Sequence, residues 1–396
     1  MKNLTVNLAL LISALAISLL IGEAMSRILL EPGDHLNLSI TPDDKLKHRI
    51  PDGAQGYDEW GYRNASVPQR TDIVTIGDSQ TFGINAAMGK TWPDQLASMT
   101  GRQVYNMSVG GYGPVQYYHL FKNKALELEP DQIVIGYYIG NDLLDAFEMA
   151  YHFDNWKEFR DPVFESWLES APSDTLDYYL SFDLFGTPEE SFMAGFRGWL
   201  SHNSMLYRLI FHGPIISEMK RQLGWGLDQE HSLHYVDVTI PEENIDEGFT
   251  PIHRAHMTDM NNPKIIEGFR VTTQIFEQMH HETEKRGIDL TILFIPTKEL
   301  VYSEILMSHP EINKREVFEK LIRNEQHIRS LSMNWLEDKQ IPYVDALPTL
   351  QQKAGNDVRI YPPTYDDHPN PKGYEVIART VYDFIGKDEG RFLTTD

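Results

Sequence analysis

A serine, a histidine and two aspartates in this 396-residue chain are spaced for nucleophilic chemistry. Ser79 follows the apolar run Ile73–Ile76, and His368 follows Asp366 and Asp367 just before the last predicted helix. A serine hydroxyl needs a base within hydrogen-bond reach, and a histidine that titrates near neutrality can be that base and then the acid. A neighbouring carboxylate would fix the imidazole tautomer, so both aspartates are candidates for that role.

Two further segments offer donors for a developing oxyanion, which an acyl-transfer site needs. Gly110 and Gly111 follow a second predicted strand, and their amides can approach a ligand closely. Asn141 follows a third strand and carries a side-chain amide. Each of these residues also has a purely structural interpretation. Ser79 could cap a helix, Gly111 and Asn141 could form turns, and His368 could fix a loop before proline.

Strands and helices alternate along the chain from Thr71 onward. The predicted strands are Ile73–Ile76, Gln103–Val109, Gln132–Ile139, Asp289–Ile295 and Tyr343–Ala346. The predicted helices are Met88–Ser98, Val115–Glu127, 263–286, Arg315–Lys339 and 371–385, the last one ended by Gly386. This alternation predicts a mostly parallel sheet with helices on both faces. Side chains that follow the strands should then meet at one edge of the sheet.

Residues 1–30 hold an apolar run behind Lys2 that approaches the ~20 residues needed to cross a bilayer. A cleavable signal peptide is the competing interpretation, because the residues on either side of Glu23 are small, as a signal peptidase requires. The charge of Glu23 makes this a poor cleavage site. We expect a single-pass membrane anchor with the amino end inside and the catalytic part extracytoplasmic. Cleavage to a secreted or periplasmic protein is the alternative, and a buried helix of a cytosolic protein is a weaker one.

The rest of the chain divides into a linker and one large domain. Residues 31–70 are rich in proline and glycine and are expected to pack on the domain. Residues 71–396 form the domain, interrupted at 143–260 by more residues than an ordinary crossover needs. We interpret 143–260 as an inserted subdomain or lid, whose tryptophans form a satellite core or line a pocket. These tryptophans are Trp156, Trp167, Trp199 and Trp225.

Composition excludes several classes of function. The formal net charge of −23 disfavours a protein that binds nucleic-acid phosphates. The chain has no cysteine, so a disulfide framework, a thiolate nucleophile and a cysteine metal site are all excluded. His280 and His281 are adjacent on a predicted helix and diverge by about 100°, so they do not converge on one ion. Neither a metal nor a cofactor is expected, and the oligomeric state is not indicated.

Four sequence blocks, in this order, resemble the SGNH (GDSL-type) hydrolase superfamily. They are GDSQTFG at Gly77–Gly83, NMSVGGYG at Asn106–Gly113, YIGND at Tyr138–Asp142 and DDHPN at Asp366–Asn370. Each block alone is a weak signal, whereas the ordered set at successive strand ends is specific. The resemblance extends from about residue 70 to the C-terminus, apart from the insertion. It implies an α/β fold of three layers (α/β/α) around a five-stranded, mostly parallel, flavodoxin-like sheet.

The resemblance also implies a role for each site residue. Ser79 would be the nucleophile, and its own amide would be one oxyanion donor. Gly111 would give a second amide and Asn141 the side-chain donor, while His368 would be the base.

The third member of the triad departs from the family pattern. The family usually places its aspartate two or three positions before the histidine, and the third position back is Tyr365 here. Asp366 is therefore the expected partner of His368, and Asp367 is expected to face solvent. Ile139 stands where the third block commonly has glycine, which is not chemically essential.

The activity implied by the resemblance is that of a serine esterase or deacylase with an acyl-enzyme on Ser79. The apolar N-terminus, GYRN at Gly61–Asn64 and IPTKELVY at Ile295–Tyr302 further resemble anchored members associated with cell-surface polysaccharides. The expected substrate is therefore an acyl ester or an acylated glycan. An O-acyltransferase with the same site is one alternative. A non-catalytic protein for polysaccharide binding or assembly is an alternative of another class.

Overall fold

A parallel sheet lies at the centre of the structure, a computed structural model. The model describes residues 2–29, 40–54, 56–170, 196, 199–200, 204–211, 235–243, 245–355 and 358–392. The strands are β1 (Thr41–Asp43), β2 (Lys47–Arg49), β3 (Ile73–Gly77), β4 (Val104–Asn106), β5 (Gln132–Tyr138), β6 (Val236–Ile240), β7 (Ile245–Phe249), β8 (Asp289–Ile295) and β9 (Tyr343–Asp345). Within these residues the central sheet has five strands in the order β4-β3-β5-β8-β9, all parallel. This order is flavodoxin-like, so the predicted fold class is confirmed.

Helices cover both faces of the sheet, as a parallel sheet requires. The α-helices among the described residues, not all of which touch the sheet, are α1 (Lys2–Leu29), α2 (Ser79–Phe82), α3 (Trp92–Thr100), α4 (Pro114–Asn123), α5 (Asp142–His152), α6 (Pro162–Ser170), α7 (Met205–Phe211), α8 (Pro251–Met257), α9 (Pro263–Arg286), α10 (Lys298–Val301), α11 (Ser303–Ser308), α12 (Arg315–Asp338), α13 (Leu347–Ala354) and α14 (Pro371–Phe392). The hairpins β1–β2 and β6–β7 are antiparallel and lie outside the central sheet. Every residue of β3 and β5 is buried, which explains their continuous apolar runs.

The predicted strands agree with the structure except at the edge strand β4. Strand β8 has the predicted bounds, and β3, β5 and β9 differ by one residue at one end. Strand β4 ends at Asn106 rather than at Val109. The Asn106 side chain accepts a hydrogen bond from the Ser108 amide (3.0 Å), which turns the backbone toward the two glycines. Regular strand geometry therefore ends at Asn106, although the amides of Met107 and Val109 still donate to the β3 carbonyls of Thr75 (2.8 Å) and Gly77 (3.3 Å).

Three helix predictions have wrong boundaries. The predicted helix Val115–Glu127 is α4 only as far as Asn123, and a separate 3₁₀ helix follows at Ala125–Leu128. The other two predictions differ for local reasons. Helix α3 begins at Trp92 because Thr91 and Asp94 form a capping box there, after a turn in which Gly89 has a φ of 81°. Helix α14 continues past Gly386, which does not have the left-handed backbone of a helix-ending glycine. A Cβ at Gly386 would meet no atom within 4 Å, so this glycine is simply an exposed helical position.

Part of the range 143–260 packs in the core of the domain. Helix α5 buries Leu143, Ala146 and Phe147, and it lies so close to α9 that a Cβ on Gly268 would be 1.8 Å from the Leu143 carbonyl oxygen. Trp156 is also buried and donates its indole hydrogen to a backbone carbonyl (2.7 Å). The interpretation of 143–260 as an inserted lid stays a prediction, and Trp225 lies outside the described residues.

The close approach of α5 and α9 predicts an asymmetry between two glycine substitutions. Gly268→Ala should lower the free energy of unfolding by about 1–3 kcal/mol, because the methyl group would overlap the α5 backbone. Gly386→Ala is the matched control in α14, where helix propensity should raise that free energy by up to about 1 kcal/mol. Denaturant unfolding followed by circular dichroism measures both. Equal effects of the two substitutions would contradict the packing described here.

Candidate active site

Ser79 lies at the carboxyl end of β3, as the first residue of α2. The helix is capped by Asp78, whose carboxylate accepts the amide hydrogen of Gln80 (2.9 Å). Asp78, rather than Ser79, is therefore the residue that caps the helix. Because Ser79 is the first helical residue, its amide has no acceptor within the helix. Burial raises the pKa of Asp78 to about 6, with smaller opposing effects from the Gln80 amide and from His368.

His368 lies between Ser79 and Asp366. Its Nε2 is 2.7 Å from the Ser79 Oγ, and its Nδ1 is 2.6 Å from Oδ1 of Asp366. The same carboxylate oxygen accepts the His368 amide hydrogen (3.0 Å), which fixes the loop as well as the ring. A carboxylate at Nδ1 favours the tautomer that carries its proton there, so Nε2 is left to accept the serine proton. The structure thus brings together the three residues expected to form a triad.

The electrostatic environment of His368 is strongly acidic. Burial alone would lower the pKa of the imidazole, but the carboxylates of Asp366, Asp367 and Asp78 outweigh burial and raise this pKa to about 9. In Asp366, burial raises the pKa of the carboxyl group. The imidazolium of His368 outweighs burial and holds this pKa below its ordinary value. Each group of the pair therefore stabilises the charged form of the other.

Asp367 does not face solvent, which corrects the sequence-based expectation. Its side chain is buried, accepts a hydrogen bond from the Tyr138 hydroxyl (2.7 Å) and forms an ion pair with Arg254. Burial opposes its ionisation, but Arg254 and His368 hold the pKa of this carboxyl well below its usual range. Its other oxygen is 3.7 Å from the imidazole Nδ1 of His368. Asp367 is thus a second buried carboxylate beside the triad.

The two remaining predicted donors follow the strands on either side of β3. Gly111 lies after β4 and has a φ of 77°, a left-handed conformation suited to glycine. Asn141 lies after β5 and immediately precedes α5. In the described part of the chain, its side-chain oxygen is buried without a hydrogen-bond partner. Because β4 and β5 both pair with β3, these two residues flank the strand that carries Ser79. Their roles as oxyanion donors stay predictions.

The turn that carries Asn141 is secured by the buried carboxylate of Asp142. That carboxylate accepts the Tyr138 amide hydrogen (3.0 Å) and the Tyr117 hydroxyl hydrogen (2.9 Å). Burial raises the pKa of Asp142 well above its ordinary value. The fifth residue of the YIGND block is therefore part of the turn's framework.

Residues 40–64 support the serine side of the site, which sequence reasoning did not foresee in detail. Arg63, in the GYRN stretch, donates to the carbonyls of Gly83 (2.9 Å) and Ala86 (2.7 Å) just after α2. The side chain of Asn64 makes two hydrogen bonds with the backbone of Asn106 in β4. Its amide nitrogen donates to the Asn106 carbonyl, and its oxygen accepts the Asn106 amide hydrogen, as a neighbouring strand would. The buried aromatic residues of the stretch join the main core. The division of the chain into a linker at 31–70 and a domain at 71–396 stays a prediction.

The histidine His48, on the hairpin β1–β2, holds the glycine turn after β4. Its Nε2 is 2.9 Å from the Gly110 carbonyl oxygen, and its own carbonyl accepts the Tyr112 hydroxyl hydrogen (2.7 Å). These contacts join residues more than sixty positions apart, so no local sequence signal could have revealed them.

Lys298, in the IPTKELVY stretch, supports the loop that leads to His368. It is buried, forms an ion pair with Glu247 (2.8 Å) and donates to the carbonyls of Pro362 (3.2 Å) and Thr364 (3.0 Å). The sequence signal for this role was a lysine with apolar residues on both sides. Such a lysine is expected to form an ion pair if it is buried, because a lysine is almost never fully buried unless it is paired. The stretch is therefore a structural support in this chain.

The cluster Asp366, Asp367 and His368 is the one group of potential metal ligands found among the described residues, with ligand atoms within 4.8 Å of one another. Its polar atoms already bond to one another and to Tyr138, and a guanidinium neutralises Asp367. A cation at this position would have to displace that guanidinium. The donor set therefore fits acid–base chemistry better than metal binding.

No family model matches the chain, and no curated protein matches it. Solved structures that resemble it include a lipolytic protein of the G-D-S-L family from Desulfitobacterium hafniense, with 11% identity, a TM-score of 0.37, and coverage of 79% of this chain and 99% of that one. A GDSL-like lipase from Bacteroides thetaiotaomicron has 10% identity, a TM-score of 0.36, and coverage of 81% and 93%. An acetylxylan esterase from Geobacillus stearothermophilus has 10% identity, a TM-score of 0.37, and coverage of 81% and 96%.

The four predicted blocks lie at the ends of β3, β4 and β5 and on the loop before α14, around one Ser–His–Asp chain of hydrogen bonds. The structure thus places all four blocks where the predicted resemblance requires them. At this level of similarity, the case for a particular activity rests on the distances within this chain.

The carboxylates around His368 predict its titration. In the wild type, the imidazole of His368 should titrate with a pKa of about 9, and Asp366→Asn should lower this pKa toward its ordinary value, because the closest negative charge is removed. NMR of histidine-labelled protein as a function of pH measures both. Asp131→Asn is the control, since Asp131 precedes β5 at the opposite end of the sheet. An unchanged pKa in Asp366→Asn would contradict the assignment of Asp366 as the dominant partner.

Proposed function

We propose that this protein is an extracytoplasmic serine ester hydrolase, an esterase or deacylase that works through an acyl-enzyme on Ser79. The observation that carries the proposal is the continuous chain of hydrogen bonds from Ser79 through His368 to Asp366, at 2.7 and 2.6 Å. A serine hydroxyl is a weak nucleophile at its free pKa, and an adjacent oriented base is what activates it.

In the first half-reaction, the Ser79 hydroxyl oxygen attacks the ester carbonyl carbon while its proton passes to Nε2 of His368. Asp366 stabilises the imidazolium that forms. The negative charge on the former carbonyl oxygen is stabilised by the amides of Ser79 and Gly111 and by the side-chain amide of Asn141. The tetrahedral intermediate then collapses, and the imidazolium donates its proton to the leaving alcohol oxygen.

The second half-reaction repeats these steps with water in place of the alcohol. His368 accepts a proton from water as it attacks the acyl carbon, and the same donors stabilise the second oxyanion. The proton then returns to the Ser79 oxygen as the carboxylic acid leaves. Only neutral His368 can start either half, so the acidic surroundings favour turnover at alkaline pH.

The substrate class proposed is an acylated cell-surface polysaccharide. Support comes from the resemblance of the N-terminal segment, the GYRN stretch and the IPTKELVY stretch to anchored proteins associated with such polymers. In this chain both stretches hold loops of the site in place, through the hydrogen bonds of Arg63 and Lys298. Neither stretch has to contact the substrate in order to contribute to activity.

We further propose that the N-terminal helix is a retained anchor, with the amino end inside. Within α1, Leu10–Leu29 is long and apolar enough to cross a membrane, with a mean hydropathy of 1.6 and 6% of it buried. The Glu23 carboxylate accepts hydrogen bonds from the Ser204 hydroxyl (2.7 Å) and from the amides of Met205 (3.1 Å) and Leu206 (3.0 Å), at the start of α7. Cleavage after Ala24 would remove Glu23 and with it the hydrogen bonds to the start of α7. These contacts therefore favour a protein that keeps its N-terminal helix.

An O-acyltransferase is the closest alternative, since a sugar hydroxyl could replace water in the second half-reaction. A protein that binds polysaccharide without catalysis is the alternative of another class. The intact arrangement of Ser79, His368 and Asp366 favours catalysis over binding alone.

Substitution of the nucleophile tests the proposal. Ser79→Ala should lower the turnover of an acetyl ester by at least about 1,000-fold and should abolish labelling by a serine-directed fluorophosphonate, because no other oxygen replaces the Ser79 hydroxyl. Ser330→Ala, which alters a serine on the exposed surface of α12, is the matched control and should retain both. Wild-type protein that neither turns over nor labels would revive the non-catalytic alternative.

The same preparation separates hydrolysis from transfer. Incubation of wild type with the acetyl ester, with and without an oligosaccharide acceptor, should give free acetate as the main product in both cases. Acetylated oligosaccharide as the main product, formed by wild type and Ser330→Ala but not by Ser79→Ala, would identify a transferase instead.

Retention of the anchor is tested by the mass of the protein. Chain extracted from membranes should keep residues 1–30, because Glu23 holds the start of α7 from within that segment. Intact-mass spectrometry of wild type measures this directly. A dominant species that begins at Met25 would show that the segment is a signal peptide.

A further inference from the structure

Arg254 bridges the two sides of the SGNH-type site. It lies on α8, and its Nη1 donates to the Gly140 carbonyl oxygen (3.1 Å), next to Asn141. Its Nη2 forms the ion pair with Asp367, next to His368. One guanidinium therefore contacts the neighbour of a predicted oxyanion donor and the neighbour of the predicted base. Sequence reasoning gave Arg254 no role.

Tyr138 closes the same network from β5. Its ring lies beneath the guanidinium, with the Arg254 Cζ 5.2 Å from the ring centroid, and its hydroxyl donates to Asp367 (2.7 Å). A Cβ on Gly140 would lie 2.5 Å from the Tyr138 ring, so the glycine of YIGND is needed for this ring to lie against the backbone. Tyr138, Gly140, Arg254 and Asp367 thus form one packed unit.

The unit is attached firmly to the rest of the domain. The Asn324 side chain, on α12, donates to the Ala255 carbonyl in the middle of α8 (3.2 Å). The buried carboxylate of Glu299 accepts the amide hydrogen of Thr250, the residue before α8 (2.7 Å). The position of Arg254 is therefore set by elements that carry none of the predicted catalytic residues.

The ion pair between the half-buried Arg254 and the buried Asp367 is by itself weak grounds for a stabilising role, since desolvation of the two charges offsets their attraction. What distinguishes Arg254 from a structural arginine is where its two donors go. Each is used on a residue adjacent to one side of the site, and the fork of a guanidinium holds two acceptors in a fixed relative geometry.

We propose that Arg254 is a positioning residue, which fixes the loop of His368 relative to the turn of Asn141 by binding Asp367 and the Gly140 carbonyl together. The proposal rests on the proposed ester-hydrolase function of Ser79. Its physical basis is that the base and the oxyanion donors must act on one carbonyl group at the same moment, and a displacement of about 1 Å can cost about 100-fold in rate.

Three substitutions separate geometry from charge. Arg254→Met removes the donors and the charge while keeping much of the side-chain volume, and Arg254→Lys keeps the charge without the fork. Arg254→Met combined with Asp367→Asn also removes the carboxylate that would be left unpaired. Arg329→Met is the matched control, because Arg329 forms a buried ion pair with Asp345 and lies over the Phe294 ring.

Steady-state hydrolysis of an acetyl ester by the full chain in detergent should show about 100-fold lower kcat for Arg254→Met, with little change in KM. The double variant should remain impaired, and Arg254→Lys should recover part of the loss. Arg329→Met should keep the wild-type kcat even where its melting temperature falls. The pH dependence of Ser79 labelling by a fluorophosphonate should also move in Arg254→Met, because the charge balance around Asp367 and His368 changes, and it should not move in Arg329→Met.

The proposal is overturned if Arg254→Met matches Arg329→Met in kcat and in the pH dependence of labelling. It is also overturned if only KM rises, since Arg254 would then bind substrate. Thermal unfolding of each variant reports whether it folds, and if Arg254→Met does not, Arg254→Lys and the double variant carry the comparison. Failure of the wild type itself to label at Ser79 would instead contradict the proposed function, so the two failures are distinguishable.

Discussion

The imidazole of His368 has to reach a serine 289 positions earlier in the chain while it stays bonded to a carboxylate two positions earlier. The strand order answers the first requirement, because β3 is the inner strand next to β4 and β5, and the loop before α14 returns to its carboxyl end. The second requirement is local, and the Asp366 side chain meets it by accepting both the ring and the backbone hydrogens of His368. The other residues that hold the site in place contact either the turn of Ser79 and its neighbouring strands or the loop of His368.

Charged groups of both signs surround His368. Carboxylates surround the imidazole, and cations hold the neighbouring segments: the half-buried Arg254 next to Asp367, and the buried Lys298 at the loop that precedes it. At the start of α5, burial raises the pKa values of Asp142 and Asp145 well above their ordinary range.

The sequence predicts those features that a short stretch can encode. Strand β8 is an uninterrupted apolar run, and α9 begins at an Asn-Pro cap and ends at Gly287, so both were predicted with their correct bounds. The hydrogen-bonded chain of Ser79, His368 and Asp366 was predictable because Asp366 and His368 are close in the sequence and Ser79 follows a strand. Asp367 was misassigned because its partners, Tyr138 and Arg254, are 229 and 113 positions away. A local pattern carries no information about such contacts, and a polar residue in a loop is by default expected to be exposed.

The arrangement of the site along the chain has a consequence for biosynthesis. Ser79, Gly111 and Asn141 belong to the first half of the polypeptide, whereas Asp366 and His368 lie within its last 31 residues, next to the helix that packs on α3. A nascent chain can therefore form the turn of Ser79 and most of the sheet before His368 has been synthesised. In the proposed mechanism, Ser79 would become reactive only after the segment around His368 has emerged and α14 has docked.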